Sequence, residues 1–415
     1  MSGPRPPAGA ATEPPPRRSP LRVLRQRPFG IYFLGSSLSS IGTWFQNIAA
    51  GLLVYELTRS TLLVGAVNFA QFIGSVLLAS VAGGAADRYD RRRLLMVSQA
   101  GAAVVGAALA VVTLLGAVTP AIVIAASLLL GFALAFMVPA LLALVPLLVA
   151  DEDLDAAVAL NSVSFNLARA IGPVLGALVV ARAGYGVAFA LNAVSFLAFI
   201  GALALVAPRP QRRVSGARPK LAQTIRLVRG VPAWWAVLVA TVVISTSTDP
   251  VNTLTPELAL DVFGGAELDA GLLVGAFGVG ATLTALVFGE WVRRRRRALP
   301  GAMLVQGAGM LVVGLAPVFS VALAGMALSG AGFIAGITRA TVRLQSEVPD
   351  LQRGRVMALW SVAFVGTRPL ASLLSGGIAE VADARVGAVV LALPVLVVAP
   401  WVARQLDRPT PPAPA

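Results

Sequence analysis

The chain has 415 residues, 57% hydrophobic and 13% charged, about half the charged share of an ordinary soluble domain. Its net charge is +14, but the arginines sit in short connectors between apolar runs, the placement that sets membrane topology. This excludes a nucleic-acid partner as the reason for the charge. With no cysteine and no histidine, disulfides, thiol chemistry and Cys or His metal sites are also excluded, and no cofactor is expected.

Residues 1–28 are rich in Pro, Ala and Arg, and Pro14-Pro15-Pro16 forbids helix; they read as a disordered tail. From Phe29 to Val402 long apolar stretches recur, many near the ~20 residues that cross a hydrocarbon core. They are too many to share one soluble core, so the lipid bilayer must solvate much of their surface. Twelve membrane spans are expected, at roughly 29–53, 62–86, 94–116, 120–148, 158–182, 186–207, 233–258, 268–291, 299–317, 319–345, 356–380 and 386–404. The fold class is therefore all-α membrane protein. Six spans form an N-terminal bundle over 29–207 and six a C-terminal bundle over 233–404, with a second disordered tail at 405–415.

The connector 208–232 is the longest internal one. Within it Leu221, Ile225 and Val228 share a helical face beside Arg226 and Arg229, which predicts a short basic helix lying on the membrane surface. Arg88 with Arg91 to Arg93, the stretch Arg209 to Arg229, Arg293 to Arg297, and Arg353 with Arg355 all fall on one side, whereas the other offers Arg59, Arg182 and Arg385. The asymmetry predicts both termini in the cytoplasm. The first apolar segment is long and lacks a small-residue cleavage site, so no cleavable signal peptide is expected.

The two halves repeat. Ala159, Leu160, Ser162, Val163, Phe165 and Arg169 recur 199 residues later as Ala358, Leu359, Ser361, Val362, Phe364 and Arg368. Upstream the offset is 203: Val145-Pro146 matches Val348-Pro349, Asp87 aligns with Glu290, and Arg91 to Arg93 align with Arg294 to Arg296. Each offset covers six spans, so the halves share one orientation, an architecture in which the substrate site lies between them near the midplane.

After the second span the chain reads Gly83-Gly84-Ala85-Ala86-Asp87-Arg88-Tyr89-Asp90-Arg91-Arg92-Arg93. This resembles motif A of the major facilitator superfamily, with Asp90 where the motif normally has glycine. The stretches Ile41 to Asn47, Tyr55 to Ser60, Ile171-Gly172-Pro173, and Val348-Pro349-Asp350 running to Val356 resemble its branch of enterobactin-exporter and macrolide-efflux-like carriers. Gly172-Pro173 with Gly176 is similar to the antiporter motif C, incompletely. The resemblance implies the major facilitator fold, and a latch at Gly83, Asp87, Arg88, Arg91 and Arg92 that joins the cytoplasmic ends of the halves in the outward-facing state. It also implies that the first span lines the central cavity, making Trp44, Gln46 and Asn47 candidate substrate contacts; interhelical hydrogen bonding is the alternative reading of these amides.

Ionisable residues at membrane depth are costly and mark function by default. Arg169 and Arg368 lie deep in the fifth and eleventh spans as cavity cations, for an anionic substrate or beside a carboxylate; capture by polar neighbours such as Asn166 is the structural alternative. Asp249, in Ser245 to Asn252, is the carboxylate placed well within a span. A carboxyl there suits proton coupling, while Asp-Pro is equally a helix-start signal. Arg339, Arg343 and Glu347 share a helical face and read as an electrostatic latch.

No enzyme constellation and no Walker-type loop is present. The expected function is secondary active transport: proton-coupled efflux of an amphipathic small molecule (a drug, antibiotic or siderophore) by alternating access. The expected setting is a bacterial cytoplasmic membrane, with protons as coupling ion and a monomeric protein. A lysophospholipid or other lipid or metabolite transporter is the alternative, followed by a non-transporting membrane receptor.

Overall fold

The computed structural model describes residues 20–209, 221–295 and 298–407. Among the described residues the secondary structure is helical, without strands. Ten segments among the described residues are long and apolar enough to cross a membrane. One of these, Asp151–Ala204, holds the fifth and sixth expected spans. Its helical dihedrals stop at Gly184 (φ 83°) and restart beyond it, a conformation that a side chain disfavours. The first expected span is the helix Arg27–Thr58, which is not among the ten because its serines and amides dilute its apolar character.

Sequence-encoded caps set several boundaries. The side chains of Ser60, Asp90, Thr119 and Asp383 accept hydrogen bonds from the backbone N–H of Leu63, Arg93, Ile122 and Val386, satisfying donors that a helix start leaves open. Arg59, at φ 53°, turns the chain between the first two spans.

The N-terminal tail is shorter than residue 28. Pro20–Arg25 is helical and the first span begins at Arg27, because Val23 is apolar and buries fully beside Phe29 and Tyr32. The remaining tail residues, 1–19 and 408–415, lie outside the described residues. In the connector, Leu221–Arg229 is helical and Arg229 stacks on Trp235 at 4.9 Å; residues 210–220 lie outside the described ones.

Two spans are interrupted. The seventh runs as Pro232–Thr246, Pro250–Thr253 and Thr255–Glu257, then widens over Leu258–Val262. The eleventh runs as Asp350–Val365 and Arg368–Val381. In each case a proline, Pro250 or Pro369, stands in the first turn of the second piece, where its missing N–H costs nothing.

The halves meet along two seams, the fifth span on the eighth and the second on the eleventh. Small residues let the backbones approach closely, as membrane interfaces require. A Cβ on Gly278 would lie 2.4 Å from Ala170 Cα, and one on Gly376 would lie 2.6 Å from the Thr61 carbonyl oxygen. The seams cover only the end away from the tails. In the eighth span (Glu267–Arg294) the stretch Gly271 to Phe277 is largely buried, whereas Ala285 to Phe288 are all exposed. Four successive helical residues turn through about 300°, so this end of the span is uncovered all round, by lipid on one side and by a cleft on the other. The structure is closed at the far end and open towards the tails.

At the far end, the hydrogen bonds between halves run mostly from donors on the N-terminal half to carboxylates on the C-terminal half. Tyr55 Oη donates to Asp261 (2.6 Å), Arg59 Nη1 pairs with Asp261 (2.8 Å), and Ser60 Oγ and the Leu62 N–H donate to Glu380 (2.9 and 3.2 Å). Thr61 Oγ1 donates to Glu257. The Arg59–Asp261 pair is exposed, and such pairs contribute ~0–1 kcal/mol each. Removing both acceptors, with Asp261→Ala and Glu380→Ala together, is expected to loosen this closure by about fivefold. The chain has no native cysteine, so a single cysteine at Asn252 reports the change. Its reaction with an impermeant thiol reagent added opposite the tails should quicken by that factor, and an unchanged rate means these contacts do not hold the end shut.

Candidate functional site

The break in the seventh span places Asp249 between the halves. Asp249 keeps right-handed helical dihedrals and makes no capping bond to the helix that follows, so the helix-start reading of Asp-Pro does not account for its side chain. It is buried (4% exposed) and accepts two hydroxyl hydrogen bonds, from Ser372 Oγ of the eleventh span at 2.5 Å and from Thr253 Oγ1 at 2.8 Å. Thr253 Oγ1 in turn accepts from Asn68 Nδ2 of the second span at 3.2 Å. Asp249 is thereby joined to the opposite half through two hydrogen bonds. Arg368, half-buried one turn before Ser372, is attracted by the charge of Asp249.

The repeat pair Arg169 and Arg368 occupies equivalent environments. Each guanidinium lies over an aromatic ring of the opposite half: Arg169 over Phe277 at 4.5 Å and Phe333 at 4.8 Å, Arg368 over Phe72 at 5.4 Å. Each also faces a ring of its own half, Trp44 at 5.3 Å and Phe364 at 5.0 Å respectively. Such contacts are worth about 0.5–2 kcal/mol each, most when desolvated. The polar capture of Arg169 by Asn166 does not occur: Asn166 donates to the Ser162 carbonyl.

The rings form two series, bridged by the Arg169 guanidinium. Phe165 packs edge-on to Trp44 (6.2 Å), Phe277 contacts Phe333 (5.6 Å), Phe333 contacts Phe364 (6.3 Å), and Phe364 stacks on Trp360 (5.3 Å). The fifth span is exposed on one face beyond Arg169 and on several at Ser162, Val163, Phe165 and Leu167. The arginines and their rings therefore stand at the closed apex of the cleft.

The first-span candidates separate. Gln46 is buried and accepts from Asn192 Nδ2 of the sixth span at 2.5 Å, which is the interhelical role. Asn47 accepts from Gln71 Nε2 at 2.9 Å. With Trp44, Asn68, Pro173 and Asn252 it borders a cavity of about 10 Å³ between the halves, room for a single water.

The motif A residues lie at the tail end. Gly83 lies in the last turns of the second span's helix, Thr61–Arg88, and Arg88 is exposed. Arg91 donates to the Ala143 carbonyl, and Arg92 donates to those of Leu203 and Ala204. Both thus bind helix ends of their own half in this open-cleft state. The side chain of Asp87 lies outside the described residues. Arg343 pairs with Glu347 at 2.8 Å, one turn apart as the spacing predicts, and Arg339 is buried one turn earlier.

Sequence reasoning did not single out Thr253, Ser372 and Asn68, nor Phe72, Phe277 and Phe333; Phe364 it named only as part of the repeat. Ser372 stands four residues after Arg368 and on its helical face, a usable signal. Thr253 likewise stands four residues after Asp249, whereas Asn68, Phe72, Phe277 and Phe333 meet their partners only through packing between the halves.

The transmembrane secretion effector family matches residues 18–409 of this chain. The chain belongs to this family of major facilitator superfamily transporters. Its curated relatives include the enterobactin exporter EntS of Citrobacter koseri, 28% identical over 377 residues, covering 86% of this chain and 87% of the relative. EntS of Salmonella paratyphi A is 29% identical over 368 residues at the same coverage. Among solved structures, this family member resembles a bacterial homologue of the human lysosomal transporter Spinster (TM-score 0.74, 12% identity, 95% of this chain and 98% of that one). It also resembles a bacterial homologue of the iron transporter ferroportin (TM-score 0.72, 17% identity, 94% and 100%). The major facilitator fold, multi-pass membrane placement and transport activity follow.

Proposed function

We propose that this transporter exports an amphipathic small molecule from a bacterial cytoplasm, driven by protons and working by alternating access, with both tails cytoplasmic. The observation that carries the reading is the position of Asp249. It is a buried carboxyl in a broken span, bonded to the eleventh span through Ser372 and to the opposite half through Thr253 and Asn68. Protonation changes which of these hydrogen bonds the carboxyl accepts, and so alters a contact that only the far-closed state makes. A siderophore lies within the substrate class, since the relatives at 28–29% identity are named enterobactin exporters.

The test is efflux of a panel of fluorescent amphipathic compounds from cells expressing the intact protein, with and without a protonophore. Expressing cells are expected to accumulate more dye once the proton gradient is collapsed, and control cells to show no such rise. Equal accumulation in both, across the panel and for a siderophore, overturns proton-driven export.

A further inference from the structure

Arg169 and Arg368 are equivalent by the repeat and by their aromatic contacts across the halves, yet they differ in charge balance. Asp249 acts on Arg368. No carboxylate pairs with Arg169 among the described residues; the neighbouring charge acting on it is that of Arg368, of the same sign. Arg169 is buried (4% exposed), and its Nε has no hydrogen-bond partner among the described residues. An isolated buried cation is costly, and rings that offset part of the cost do not supply the missing negative charge. The same residue sits at the cleft apex, where the two halves part. Around it stand Trp44 and, one turn nearer the tails, Phe165, the latter 53% exposed, with the stacked pair Phe364 and Trp360 reached through Phe333. These flat apolar faces suit a ring-bearing body.

Resting on the transporter reading, we infer that the substrate is an organic anion with an aromatic body, and that Arg169 receives its anionic group. Arg169 is the binding cation because no carboxylate among the described residues pairs with it. Arg368 stands beside Asp249, since Ser372 Oγ donates both to that carboxyl and to the Arg368 carbonyl. The guanidinium presents forked donors that suit a carboxylate or sulfonate, and the surrounding rings exclude water from the pair.

The experiment is equilibrium dialysis with the full chain in lipid nanodiscs, using three probes on one ring system: 1-naphthalenesulfonate, 1-naphthalenesulfonamide and (1-naphthylmethyl)trimethylammonium. The wild-type protein is expected to bind the sulfonate at least about tenfold tighter than the other two. Arg169→Gln should remove that preference while leaving weak sulfonamide binding in place, and Arg169→Lys should restore part of it. Thermal unfolding of each variant identifies any that fails to fold, and the lysine variant then carries the test. A wild-type protein that prefers the cation, shows no charge preference or binds none of the probes overturns the inference. So does an Arg169→Gln protein that weakens all three probes equally, which would mark a packing role. The exporter reading fails separately: sulfonate binding without protonophore-sensitive export defeats that reading alone, and export of cations defeats this one alone.

Discussion

Asp249→Asn should abolish proton-driven efflux, cutting it by about tenfold or more, while leaving the protein in the membrane and able to exchange substrate across it. The amide has nearly the shape of the carboxyl. Its oxygen still accepts one hydroxyl hydrogen bond, and its NH2 can donate to the other hydroxyl, because Ser372 and Thr253 both rotate and both accept. The packing cost is about 1 kcal/mol, too little to unfold a chain whose seventh span is largely buried. What the amide cannot do is ionise. The contact through Thr253 to Asn68 then no longer responds to pH. The measurement compares two rates in proteoliposomes: uptake driven by an imposed pH gradient, and exchange at equal pH and equal substrate. Loss of the first with retention of the second places the proton at Asp249. Retention of both removes Asp249 from the coupling, and loss of both assigns it to the fold or to substrate binding.

Much of the architecture was legible in the sequence because a bilayer imposes blunt constraints. Span length, the arginine-rich connectors and the six-span repeat are set by hydrocarbon thickness and by charge placement, which local sequence records directly. The repeat also gave the equivalence of Arg169 and Arg368 before any contact was known. The burial of Val23 was not legible, since the short apolar set Leu21, Val23 and Leu24, interrupted by arginines in a Pro- and Arg-rich tail, is too brief to carry a periodic signal. The site divided in the same way. Asp249, Arg169 and Arg368 stand out because charge at depth is rare. Their partners are threonine, serine, asparagine and phenylalanine, residue types common in any span; Asn68, Phe72, Phe277 and Phe333 meet them across the halves, while Thr253, Ser372 and Phe364 meet them within one half. Gln46 and Asn47 illustrate the limit. They are adjacent in sequence, yet one bonds the sixth span and the other the second, because successive helical residues point about 100° apart.

Gly376→Leu should shift the transporter away from its far-closed state, whereas Gly377→Leu should not. The two glycines are neighbours in the same helix, so backbone entropy and intrinsic helix preference change alike in both. Their surroundings differ. A Cβ on Gly376 would meet the Thr61 carbonyl oxygen at 2.6 Å and Leu62 Cα at 2.9 Å, both backbone atoms of the opposite half, while a Cβ on Gly377 would meet nothing within 4 Å. Backbone cannot rotate aside, so the leucine at 376 is relieved by separating the second span from the eleventh. Overpacking of this kind costs about 1–3 kcal/mol, which moves a two-state equilibrium about five- to 140-fold. The seam is also where coupling meets closure. Ser372, whose hydroxyl donates to Asp249, has its carbonyl oxygen 2.4 Å from where a Cβ of Gly65 would stand. A shift at the carboxyl is felt along the same backbone that Gly65 and Gly376 bring together. Reaction of a cysteine at Asn252 from the side opposite the tails should quicken by that range in Gly376→Leu and match the unsubstituted background in Gly377→Leu. Equal rates in both variants, with lowered thermal stability in Gly376→Leu alone, would show that the second and eleventh spans pack there as fixed core rather than as a seam that opens.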